Sequence, residues 1–190
     1  MAETIEGLAD TYITYNLKAS ITRGKLAHDL HAWKPVRIVR TLSQAVLERV
    51  GPVTVEEVWA NKLDYQIIIP RRHIVFGSDI VLDMTLIPLL KGLRIGTITC
   101  YLYEHQELAP LEAHMDAESC LRVVDSWNFE LNDGEHFLQK LLPLPKQLSK
   151  CLQDAEVCGI KIRHEVKLNI ALHNPDGHIS DVSSLSHPTK

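Results

Sequence analysis

Apolar and polar residues alternate one for one along much of the chain, the spacing of a strand that buries one face and wets the other. In Thr11 to Thr22, the residues Ile13, Tyr15, Leu17, Ala19 and Ile21 share a face, with Thr14, Asn16, Lys18 and Ser20 opposite. In Lys62 to Pro70, Leu63, Tyr65, Ile67 and Ile69 alternate with Asp64, Gln66 and Ile68 until a proline, which cannot donate to a ladder, ends the run. Ile80 to Pro88 sets Ile80, Leu82, Met84 and Leu86 against Val81, Asp83 and Thr85, and Ile95 to Glu104 is rich in Thr, Tyr and Ile. The longest run, Ile160 to His173, places Ile160, Ile162, Val166, Leu168, Ile170 and Leu172 on one face together with His164. Lys161, Arg163, Glu165, Lys167 and Asn169 occupy the other face, so a one-sided antiparallel strand is predicted there.

Turn-forming residues separate these runs: Arg71-Arg72-His73 to Gly77-Ser78-Asp79, Lys91-Gly92, Asn132-Asp133-Gly134 and Asn174-Pro175-Asp176-Gly177. Many strands joined by such turns predict an all-β sandwich. One short helix is expected over Leu144 to Asp154, where Leu144, Leu148, Cys151 and Leu152 recur at helical spacing with Pro145 near the start. The alternation lapses over Ser43 to Val50 and Gly51-Pro52 breaks the backbone, which predicts a module boundary between Thr41 and Val53.

The chain has 190 residues, enough for a core without disulfide or metal staples, and 45% hydrophobic with 23% charged residues is a globular balance. A formal charge of −4 gives no bulk attraction to nucleic acid, and no apolar stretch approaches the ~20 residues of a membrane span, so neither nucleic-acid binding nor direct membrane insertion is expected. The acidic start lacks the features of a secretory signal, and a soluble, cytoplasmic protein with free thiols at Cys100, Cys120, Cys151 and Cys158 is expected.

Candidate chemistry is sparse. The nucleophile-elbow, Walker and dinucleotide-binding patterns do not occur, so no catalytic residue and no cofactor is expected. His28 and His31 are the nearest histidine pair, but helical zinc pairs need i, i+4 spacing and a third ligand, so no metal site is expected. Cys151 and Cys158 are taken as buried or half-buried structural thiols, and His164 as a hydrogen-bonded core histidine. From Glu104 to Glu135 nine acidic residues face Arg122 alone, which reads as a solvated loop and strand or as a docking surface for a basic segment. Lys34, Arg37 and Arg40 alternate with Val36, Ile38 and Val39, which reads as a strand with one wet face or as an interdomain latch, since arginines pair carboxylates bidentately.

Several of these segments resemble a known family. Lys34 to Leu42, Trp59 to Tyr65, Ile74 to Gly77, Pro88 to Gly96, Leu144 to Asp154, Gly159 to His164 and His173 to Ser180 look, in their order and spacing, like α-arrestins, the arrestin-related trafficking adaptors. The similarity runs from about residue 5 to 182 and is nearest to fungal adaptors of the CreD type, linked to carbon catabolite repression. It implies immunoglobulin-like sandwiches, with residues 1–42 ending an arrestin N-terminal-like domain, 43–53 as interdomain linker, and 54–190 forming most of an arrestin C-terminal-like domain that lacks its final strand. Arg37 and Arg40 match the strand feeding the interdomain core and are the candidate latch.

The resemblance also implies a role: no enzyme, but an adaptor that links plasma-membrane transporters, through their cytosolic segments, to a NEDD4-type HECT ubiquitin ligase for endocytosis. Such a protein sits at the plasma membrane or endosomes through its cargo. The family's Pro-Pro-x-Tyr ligase motif, usually in a C-terminal tail, does not occur in this sequence. The competing reading is a retromer-type sorting subunit of the same fold that works without ubiquitin.

Overall fold

The computed structural model describes residues 4–6, 11–24, 28–39, 43, 51–75, 77–110, 117–132, 134–147 and 150–186, and all regular elements among them are strands. In chain order these are β1 (Ile5–Glu6), β2 (Tyr12–Ile13), β3 (Tyr15–Ile21), β4 (Leu30–Val36), β5 (Val53–Trp59), β6 (Leu63–Ile69) and β7 (Asp79–Pro88). There follow β8 (Arg94–Leu108), β9 (Glu118–Phe129), β10 (Phe137–Pro143), β11 (Ala155–Val157), β12 (Ile160–His173) and β13 (Ile179–Ser186).

Two sheets make the sandwich. One has the order β10-β7-β6-β5; the other has β11-β12-β8-β9, with β13 also on β12. Every pairing is antiparallel. Because one face of each strand is apolar, the sheets close on each other: Leu63, Ile67, Leu82 and Leu86 of the first meet Ile98, Leu102, Leu168 and Ile170 of the second in one buried core. At one end Lys62 Nζ donates to Asn174 Oδ1 at 2.9 Å, tying the β5–β6 turn of one sheet to the β12–β13 turn of the other. The β11–β12 turn is two residues, Cys158 and Gly159, with φ of 50° and 80°. Those positive angles suit the strand twist of a tight hairpin.

The all-β sandwich expected from the alternation is therefore the fold. The helix expected over Leu144 to Asp154 is not: none of its described residues, 144–147 and 150–154, is helical, the Cys151 N–H bonds the Gln147 carbonyl at 3.1 Å, and Leu148 lies outside the described residues. The helical spacing arose because Leu144 packs on the main core while Cys151 and Leu152 are buried elsewhere, so two extended pieces together imitate one apolar stripe. The polar stretch after Ser180, where a last strand was expected to be lacking, holds β13, which pairs with β12 from His173↔Ile179 to Val166↔Ser186. Backbone hydrogen bonds to β12 stabilise it, and Val182 alone supplies a fully buried side chain from residues 179–183.

Two other expectations change. Cys158 is exposed, because the hairpin turn projects it outward. The strand expected over Thr11 to Thr22 is split at Thr14, and its longer part pairs with β4 in a hairpin that leaves Leu17 at 64% and Ile21 at 61% exposure. Among the described residues 34–39 only 34–36 are in a strand, and of the expected linker 43–53 the described residues are 43 and 51–53.

Candidate functional site

β8 carries its alternation past the apolar core. After Ile98, Cys100 and Leu102, the same inward phase brings Glu104 and Gln106 inside, and Glu104 is 0% exposed. Burying a carboxylate is costly unless donors replace its water. The sheet register supplies them: Arg122 on β9 and His164 on β12 are the direct cross-strand neighbours of Glu104 on either side. Arg122 Nε donates to Glu104 Oε1 at 2.7 Å, His164 Nε2 lies 3.2 Å from Oε2, and Gln106 Nε2 adds a bond to Oε1. The Leu152 backbone N–H donates to Oε2 at 2.9 Å, which fastens the segment before β11 onto β8.

His164 is held on its other side by Asp154, with Nδ1 2.5 Å from Oδ1, and Cys151 Sγ lies 3.5 Å from Nε2. Burial pushes the Glu104 carboxyl up, but the hydrogen bonds from His164, Arg122, Leu152 and Gln106 outweigh it and bring the pKa down to about 2. Burial pushes the His164 imidazole down, but its bonds to Asp154, Cys151 and Glu104 prevail and raise it to about 11. The row Arg122–Glu104–His164 is thus cation, anion, cation at neutral pH. An imidazolium so far from neutrality does not serve as a general base, so the cluster is built to hold structure or bind rather than to shuttle protons.

This polar row stands behind an apolar junction. Ile5 of β1, 2% exposed, packs with Leu152, Ala155, Ile160 and Ile162 in a second core, against which Ile13 of β2 also rests. The N-terminal segment is closed on itself by the Thr4 N–H on the Ile38 carbonyl at 2.9 Å and the Ile38 N–H on Thr4 Oγ1 at 2.8 Å. Arg37, from the candidate latch, directs Nη2 to Gln153 Oε1 at 3.5 Å, one residue from Leu152. Arg40 lies outside the described residues. His164 is the hydrogen-bonded core histidine read from its strand face; Glu104, Arg122, Cys151 and Asp154 were not read as its partners. The sequence puts Glu104 and Arg122 in an acidic stretch that reads as a solvated loop and strand or as a docking surface, whereas Glu104 is buried. The signal that finds them is the phase of β8, in which Glu104 falls two residues beyond Leu102 on the same inward face.

Among the described residues no helix is long and apolar enough to cross a membrane. The family model for arrestin (or S-antigen), C-terminal domain, matches residues 59–186. The chain is also similar to the probable HECT-type ubiquitin ligase-interacting protein creD of Aspergillus terreus, 41% identical over 96% of this chain and 34% of that protein. The counterpart in Neosartorya fischeri is 42% identical over 96% of this chain and 33% of that protein. The HECT-type ubiquitin ligase-interacting protein creD of Emericella nidulans is 41% identical over the same shares, 96% and 33%. The chain spans about a third of the length of the curated relatives it matches.

Proposed function

Because this chain belongs to the arrestin family, we propose that it is the C-terminal sandwich of an adaptor that links plasma-membrane transporters to a NEDD4-type HECT ubiquitin ligase for ubiquitin-dependent endocytosis. The observation that carries this reading is the match along 96% of the chain to proteins whose names state interaction with a HECT-type ligase. The geometry is in keeping with an adaptor, because among the described residues the buried Glu104 is locked into a hydrogen-bonded row with Arg122 and His164. No Pro-Pro-x-Tyr occurs in this sequence, so in the proposed arrangement the ligase is held by another part of the full-length protein. The sandwich then faces cytosolic segments of the cargo, at the plasma membrane or endosomes, during carbon catabolite repression.

The test is done in cells carrying the full-length protein with an affinity tag. A HECT-type ligase should co-purify with it, and deletion of the sandwich should leave carbon-source transporters at the surface, un-ubiquitinated, after a shift to preferred sugar. A protein that brings down no HECT-type ligase, or whose loss leaves transporter ubiquitination unchanged, overturns the proposal.

A further inference from the structure

We propose that Cys151, His164 and Glu104 form a binding site for a zinc-class divalent metal ion, with Asp154 orienting the histidine. The three ligand atoms, a thiol sulfur, an imidazole nitrogen and a carboxylate oxygen, lie within 4.8 Å of one another. That mixture of soft, intermediate and hard donors is one that zinc accepts.

Two of the three ligand–ligand distances fit tetrahedral coordination, and the third lies within 4.8 Å. With Zn–N near 2.0–2.1 Å, Zn–O near 2.0–2.2 Å and Zn–S near 2.3 Å, tetrahedral edges come to about 3.3–3.5 Å for N···O and about 3.5–3.6 Å for S···N. His164 Nε2 lies 3.2 Å from Glu104 Oε2 and 3.5 Å from Cys151 Sγ, so binding requires shifts of a few tenths of an ångström at most for these two edges. A water or the Leu152 carbonyl oxygen, 3.5 Å from the sulfur, takes the fourth position.

The surroundings are those of a metal centre as well. A ligating histidine characteristically gives its other nitrogen to a carboxylate, which fixes the ring, and Asp154 does this at Nδ1. Glu104 is held through Oε1 by Arg122 and Gln106, while Oε2 accepts the Leu152 N–H and lies 3.2 Å from His164 Nε2. Two ligands stand on adjacent strands, β8 and β12, and the third on the segment that the Leu152 N–H pins to β8. Coordination replaces the proton on His164 Nε2 and the thiol proton of Cys151, so one divalent ion enters as two protons leave.

The purified protein, stripped with chelator, is titrated with cobalt as a spectroscopic stand-in for zinc, followed by zinc displacement. One equivalent of cobalt should produce a thiolate-to-cobalt charge-transfer band and the visible absorption of a tetrahedral centre, both abolished by one equivalent of zinc. Cys151→Ser should remove the charge-transfer band and weaken binding at least tenfold, while a Cys120→Ser/Cys158→Ser variant, lacking both exposed thiols, keeps both. Asp154→Asn, at the positioning residue, should weaken zinc about tenfold while retaining the band. Circular dichroism of each variant establishes that it is folded. A protein that shows no such band, or a band that survives Cys151→Ser, overturns the site and leaves a hydrogen-bonded cluster only.

Discussion

The carboxylate of Glu104 lies 2.7 Å from the Arg122 guanidinium, between two direct cross-strand neighbours of opposite charge to its own. Because it is completely buried, these two neighbours, with Gln106 and the Leu152 N–H, replace its lost hydration. Glu104→Gln keeps the shape but leaves Arg122 without its carboxylate and the His164 imidazolium with Asp154 alone. Removing one member of a buried ionic cluster costs about 3–5 kcal/mol. Urea denaturation of the metal-free protein should show a loss of that size, whereas Lys161→Ala, which breaks an ion pair with the mostly exposed Glu107, should leave the midpoint unmoved. Equal effects of the two variants would falsify the structural role of the row.

The same row gives stability a defined pH profile. Glu104 ionises at about 2 in the fold instead of 4.5, so its contribution is fully present above 4.5 and is lost as pH falls toward 2. His164 is raised from 6.5 to about 11, so its contribution is fully present below 6.5 and declines as pH rises toward 11. Cys100, pushed up to about 12 by burial, adds a further decline only above its ordinary value of 9.0. Metal-free protein should therefore melt highest between about 4.5 and 6.5, and His164→Gln should flatten the fall between 6.5 and 9. A variant whose melting temperature tracks that of the parent across this range would show that the imidazolium is not what is lost.

Of the strands that sequence alternation revealed, β6, β7, β8 and β12 have one face committed to the core, whereas β3 alternates as clearly and leaves Leu17 and Ile21 exposed. β13 escaped because its ladder bonds go to β12 while residues 179–183 bury only Val182 completely, and main-chain pairing leaves no mark on the side-chain pattern. β9 escaped for a related reason: it is a terminal strand of its sheet, with Leu121 and Val123 on the wet face and Arg122 inward, so its polarity pattern is reversed where the polar row passes. Composition could not separate Glu104 from the eight other acidic residues of its stretch, because its burial is set by strand phase and by partners on two other strands.

Packing between the sheets makes the core intolerant of truncation. Leu168 of β12 is 0% exposed and meets side chains of both sheets, so Leu168→Ala should cost about 2–5 kcal/mol, the lost transfer energy plus the cavity. Leu121 of β9, 57% exposed, removes little surface from water, and Leu121→Ala should stay within about 0.5 kcal/mol of the parent. Paired denaturation curves with unchanged slope would check both values.

Among the described residues, an apolar contact and a polar one attach the N-terminal segment to the sandwich. Ile5 is 2% exposed against Leu152, Ala155, Ile160 and Ile162, whereas the Arg37 guanidinium makes a 3.5 Å bond to Gln153 at an exposed position. Fully burying an aliphatic side chain is worth about 1.5–3 kcal/mol, while an exposed hydrogen bond at the long end of the range adds little. Ile5→Asp puts a charge where no partner has been provided and should release the segment, so that trypsin cleaves at Arg37 much faster while the β5–β13 sandwich survives as a resistant fragment. Arg37→Gln, which removes that cleavage site and the bond to Gln153, should loosen the segment less than Ile5→Asp does when both are probed with a protease of different specificity. If Arg37→Gln instead loosens the segment as much as Ile5→Asp does, the electrostatic latch holds the junction and the apolar contact is secondary.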